Sequence, residues 1–161
     1  MNIFEKFNEM FDTNGLAKDV NEVKSNGTKV EKKDVPYGEY EVRITKLELV
    51  EHQFDDDYKG MPELTVWFKI INNAEYEGQM LFRNMKLISL KNPKANGFLI
   101  NKVNEFLESI ESGFQVCFED WVQYGDLIAS IFESIDGKGE YQLNFFDNKG
   151  YKDYAIIQRF V

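Results

Sequence analysis

From Tyr40 onward apolar side chains fall at alternate positions, with Tyr40, Val42 and Ile44 set against Glu41, Arg43 and Thr45. A period of two marks a half-buried β-strand. Near Lys46 the alternation slips by one, and Leu47 and Leu49 carry it on. That slip predicts a β-bulge and a bent strand. A polar turn from Gln53 to Gly60 leads to a second strand over 63–71, with Leu64, Val66, Phe68 and Ile70 on one face. Thr65, Trp67, Lys69 and Ile71 take the other face. Asn72-Asn73 and the region 75–78 predict a hairpin into a third strand at about 79–88, completing an antiparallel meander.

The period then changes. Asn92-Pro93 breaks the strand pattern, and Leu99, Val103, Phe106, Leu107 and Ile110 recur at helical spacing between about Lys94 and Ser112. A second helix is predicted from about Phe118 to Ile135, carrying Trp121, Leu127, Ile128, Ile131 and Phe132. Residues 140–146 and 151–160 alternate again around Asp147-Asn148-Lys149-Gly150, a closing hairpin. Three strands, a helical insertion and two strands predict a β-rich α+β domain. Its expected form is a five-stranded antiparallel barrel of the oligonucleotide-binding type, with helices between strands 3 and 4.

Ahead of this domain, Ile3, Phe4, Phe7, Met10 and Phe11 share one helical face, and Gly15 follows. From Asp19 to Asp34 the chain is polar. The expected division is therefore an amphipathic helix with its linker over 1–34 and the barrel over 35–161. The helix either packs back on the core or serves self-association or a partner, so a homo-oligomer is one expectation.

Composition narrows the classes. Of 161 residues 43% are apolar, enough for a core, and 14 Phe and 8 Tyr make the chain rich in rings. Cys117 stands alone, which excludes an intrachain disulfide, and His52 is the only imidazole. No apolar run reaches membrane-spanning length, and Met1-Asn2-Ile3-Phe4-Glu5 has no secretory character. A cytoplasmic protein without membrane association is expected. Net charge is −9, yet no acid occurs between Glu77 and Glu105, where Arg83, Lys86, Lys91, Lys94 and Lys102 all fall.

The stretch Pro36-x-Gly38-x-Tyr40-x-Val42-x-Ile44 resembles a family of small tailed-phage proteins. So do Leu81-Phe82-Arg83-Asn84-Met85, Asn92-Pro93-Lys94-Ala95 and Gly137-Lys138. The resemblance spans about residues 35–161. It implies a single-stranded DNA-binding protein of the replication and recombination module, with an oligonucleotide-binding fold, working in the cytoplasm of a bacterial host. Phage replication or recombination proteins are the partners it implies.

Single strands are held by cations along the backbone and by rings on which bases stack, each stacked base contributing roughly 1–3 kcal/mol. Arg43, Trp67, Lys69 and Arg83 are expected to share one sheet surface, with Lys86, Lys91 and Lys94 extending its charge. Trp67 has two readings: a stacking platform, or a cover for the second sheet face beneath the inserted helices. Tyr37, Phe54 and Tyr58 flank turns and are candidate clamps for bases.

No catalytic constellation competes. Asp55-Asp56-Asp57 lacks calcium-loop spacing and reads as a solvated turn, so no metal or other cofactor is expected. His52 has no nucleophile at a recognisable spacing and is expected to be an exposed strand-end residue. Cys117, between Val116 and Phe118, is expected to be a small buried hydrophobe. An enzyme is not expected. The alternative function is an acidic phage protein that inhibits a host defence by mimicking DNA, of anti-CRISPR or anti-restriction type, motivated by the net charge. A replisome adaptor acting through its helices is a third.

Overall fold

Period-two alternation produces five strands, and period 3.6 produces two helices. The computed structural model describes Ile3, Glu5, residues 31–54 and residues 56–161. Contacts divide the chain into two units, Met1–Lys32 and Lys33–Val161. In the first, Ile3 and Glu5 are helical and exposed; the rest of the predicted amphipathic helix, Phe4, Phe7, Met10 and Phe11, lies outside the described residues, as does the linker up to residue 30.

The second unit begins slightly before the predicted boundary. The Lys33 backbone N–H donates to the Gln79 side chain at 2.9 Å, and its ammonium donates to the Glu75 carbonyl at 3.0 Å. Strands β1 (Gly38–Glu51), β2 (Pro62–Ile71), β3 (Met80–Lys86), β4 (Tyr141–Asn148) and β5 (Tyr151–Arg159) form one sheet in the order β3-β2-β1-β4-β5. All neighbours are antiparallel. Between β3 and β5 there is no ladder, so the sheet is open at that seam and the predicted barrel is not closed by backbone pairing.

The predicted bulge is present. Ile44 faces Phe68 and Lys46 faces Trp67, leaving Thr45 as the extra residue. After it, Leu47 and Leu49 return to the inner face opposite Val66 and Leu64. The β4–β5 turn centres on Lys149 and Gly150, with φ of 53° and 91°. Positive φ at both central positions is the type I′ geometry that matches strand twist. Asp147 accepts from the Gly150 N–H at 2.9 Å and fixes the turn.

A 3-10 turn, Pro93–Ala95, opens helix α1 (Asn96–Ser109); helix α2 is Trp121–Ile135. The second helix starts later than predicted because Asp120 caps it, accepting from the Gln123 N–H at 2.8 Å. Both helices pack on the inner side of the sheet, where α1 contributes Val103, Phe106 and Leu107 and α2 contributes Tyr124, Ile128 and Ile131. There Tyr154 stacks between Phe68 and Phe145, at 5.7 and 5.0 Å between ring centroids. Each such ring contributes about 2 kcal/mol or more by leaving water. No helix among the described residues is long and apolar enough to cross a membrane.

Two expectations fail here. His52 is buried, not exposed, because its ring is paired with the buried Glu63 carboxylate. Cys117 is exposed, not buried, because the α1–α2 connection carries it along the surface ahead of the α2 cap.

Candidate nucleic-acid interface

The outer face of β2 and β3 is where rings meet solvent. Alternation turns Trp67 and Lys69 outward from β2, and Phe82, Asn84 and Lys86 outward from β3. Trp67 and Phe82 face each other across the ladder and pack edge to face, with centroids 5.5 Å apart. They are 37% and 52% exposed. The bulge places Lys46 opposite Trp67, and its ammonium lies 4.5 Å from the indole centroid. Beneath them Thr65 donates to Asn84 at 2.7 Å.

These residues form the floor of a groove of about 750 Å³, walled on one side by Val50, Glu51, Gln53 and Phe54. No helix residue lines it. Of the two readings of Trp67, the structure therefore removes the one that puts it under the inserted helices. Phe54 is 88% exposed at the rim, on the β1–β2 loop. His52 closes that loop: its N–H donates to the Met61 carbonyl at 2.8 Å, and its carbonyl accepts from Gly60 at 3.0 Å. On the same loop Tyr58 lies under the Lys86 ammonium, 3.7 Å from the ring centroid. Asp55 lies outside the described residues, and among those described no cluster of three potential metal ligands occurs.

The cations are partly committed. Arg43 faces outward opposite Lys69, but it is 2.7 Å from Glu140, which relieves the like-charge pair across the ladder. Lys46 has Glu48 at 3.7 Å. Glu63 at the groove edge is buried against His52. The face is thus a ring platform with a few lysines, not a dense cationic strip.

Arg83 does not join it. The residue points to the inner face beside Leu81 and Met85, because β3 alternates with Phe82 outward. Its guanidinium donates to the Tyr154 carbonyl at 2.7 Å and to Asp153 at 3.0 Å, and lies 5.0 Å from the Phe106 ring. Burial lowers its pKa, while Asp153 and then Tyr154 act in the opposite direction. Arg83 is the link across the open seam. Above it lies a second groove of about 520 Å³ that shares Phe82 and Asn84 with the first and adds Lys86, Lys102, Tyr151 and Lys152.

Lys91 and Lys94 are exposed around the 3-10 turn and line neither groove. Tyr37 is half-exposed but packs on Phe145 at 4.9 Å, on the inner side of the sheet and away from Trp67. The structure thus gathers Trp67, Lys69, Lys86, Phe54 and Tyr58 around the outer face, with Arg43 at its margin. Sequence reasoning missed Phe82 and Lys46. The signal for Phe82 was its β3 register with Trp67; the signal for Lys46 was the bulge itself.

Comparison of the sequence with protein-family models, with curated proteins and with solved structures finds no match.

Proposed function

We propose that residues 33–161 bind single-stranded DNA along the outer face of β2 and β3. The observation that carries this reading is the exposed Trp67–Phe82 pair with Lys46 over the indole. Two adjoining rings offer stacking faces that every base can use, whatever its sequence. The strand order, with helices between β3 and β4, is the chain order of an oligonucleotide-binding barrel. Such barrels bind through the strand 2–3 face and through the loops after strands 1 and 4. Here those loops carry Phe54 and Tyr58, and Tyr151 at the β4–β5 turn. The fold we propose is thus a barrel of this type, held at its seam by Arg83.

The resemblance to tailed-phage proteins suggests the setting: protection of exposed strands during replication or recombination in the host cytoplasm, without catalysis. The competing reading, a DNA mimic, would gain from acids lining one contiguous face together with burial of the acid-free stretch. Phe82, Lys86, Lys91 and Lys94 within it are exposed, which favours binding over mimicry.

The test is a fluorescence-anisotropy titration of labelled oligo-dT at two salt concentrations, with duplex DNA and RNA competitors. Saturable binding at micromolar protein in low salt is expected, with duplex competing poorly. No binding under those conditions overturns the reading.

A further inference from the structure

Two surface patches, one at the start of α1 and one on the α1–α2 connection and the first turn of α2, are left unused by the proposed DNA site. Before and at the start of the helix, Leu90 and Phe98 are exposed, Phe98 at 62%, among Lys91, Lys94 and Lys102. The Lys102 ammonium lies 5.0 Å from the Phe98 ring centroid. Following the C-terminal end of α1 along the chain, Phe114, Trp121 and Val122 are exposed, Val122 at 74%. Phe118 stacks on Tyr124 at 3.8 Å and braces Trp121 at 5.9 Å, so the indole is held in place. Around these rings Glu111, Glu119, Asp120 and Asp126 are exposed, and no Lys or Arg occurs between Lys102 and Lys138. Arg159, which reaches this end from β5, spends its guanidinium on the carbonyl oxygens of Glu111 and Val161 at 2.6 and 2.8 Å.

We propose that the protein associates head to tail with further copies of itself, the acidic Phe114–Trp121–Val122 patch of one seated on the basic Leu90–Phe98 patch of the next. Each patch combines exposed apolar side chains with one sign of charge, and the signs are opposite. Charge of this kind sets partner and register, while the rings supply the buried centre of the contact. The same chain presents both halves, so a second copy fits each. A contact between unlike patches leaves one of each free and repeats into an open row, unlike a two-fold dimer. The contact uses none of Trp67, Phe82, Lys46 or Lys86, and its test contains no nucleic acid, so it stands or falls apart from the DNA reading.

The experiment is sedimentation equilibrium of the full chain and of two charge-reversed variants, Lys91→Glu with Lys94→Glu, and Glu119→Lys with Asp126→Lys. All four side chains are exposed. For the unaltered protein the average mass is expected to rise above 18.9 kDa with concentration. Each variant alone should remain at the monomer mass, and an equimolar mixture of the two should associate again, because the reversed patches then match. An unaltered protein that stays monomeric, a variant that associates as before, or a mixture that stays monomeric overturns the proposal. If circular dichroism shows a charge-reversed chain misfolded, Phe98→Ser and Val122→Ser replace it. Each should weaken association about tenfold, and unchanged association overturns the proposal equally.

Discussion

The Arg83 guanidinium holds the Tyr154 carbonyl at 2.7 Å, and by doing so it joins the two free edges of the sheet. No backbone ladder does this work. One planar fork reaches across from β3 and also meets Asp153 at 3.0 Å.

Arg83→Ala should therefore act on stability rather than on salt dependence. It removes the cation beside Asp153, which keeps the Asn148 amide and the Tyr154 N–H as donors, and it takes the guanidinium donor from the Tyr154 carbonyl, so a cost of about 2 kcal/mol is expected in urea unfolding. Arg83→Lys should recover only part of it, because an ammonium cannot reproduce the fork. The slope of log affinity against log salt for oligo-dT should not change in folded protein. A flattened slope with unchanged stability would return Arg83 to the binding face.

Trp67→Ala and Phe82→Ala should each weaken oligo-dT binding by roughly 1–3 kcal/mol. Because the rings touch, the double variant should lose less than the two single losses combined. Anisotropy titrations of the four proteins measure the coupling. Strict additivity would mean that the rings do not form one platform.

Salt dependence should be shallow. Lys46, Lys69 and Lys86 are the lysines of the outer face, and each phosphate contact contributes about 0.7 to the single-strand slope. A total near 2 is expected, and Lys86→Ala should lower it by about 0.7. Lys91→Ala should leave it unchanged, since Lys91 lines neither groove. A steep slope that falls on removing Lys91 would place the strand elsewhere.

Alkaline pH should unfold the protein. Burial raises the phenol pKa of Tyr124, Tyr141 and Tyr154 above the usual 10. The unfolded chain then loses these protons before the folded one does, so this stabilisation is complete below pH 10 and is lost as pH rises through the folded values. The urea midpoint should hold up to about pH 9 and drop beyond 10, with tyrosinate absorbance appearing together with unfolding. Tyrosinate absorbance that rises fully at pH 10 in folded protein would contradict the burial.

A fragment of residues 33–161 should fold alone with the melting temperature of the whole chain. The sheet, both helices and the Lys33 hydrogen bonds all lie within it. A large drop would show that residues 1–32 contribute to its stability.

Periodicity was most legible where one face of an element is uniformly apolar. Leu64, Val66, Phe68 and Ile70 left no doubt about β2, and the slip at Lys46 located the bulge. It misled in β3, where the inner face carries Leu81, Arg83 and Met85. A cation in the middle of an inward set reads as outward unless its distant partner, Asp153, is known. His52 failed for a related reason: Glu63, which buries it, lies across a turn and is itself a residue that pattern assigns to solvent. Chain order alone also could not show whether β3 and β5 would pair, because that depends on how far the sheet curls.

Thr45, the extra residue of β1, is exposed, and its hydroxyl reaches only the Trp67 carbonyl at 3.5 Å. Its contribution is to the backbone, where an extra residue bends the strand. Without it, Ile44, Lys46 and Leu47 would alternate inward, outward, inward opposite Phe68, Trp67 and Val66, so the bulge would vanish while both faces kept their residues. Position 45 is therefore the place where β1 can lose a residue without exchanging its faces, whereas a single-residue deletion farther along the strand would turn the side chains beyond it from one face to the other.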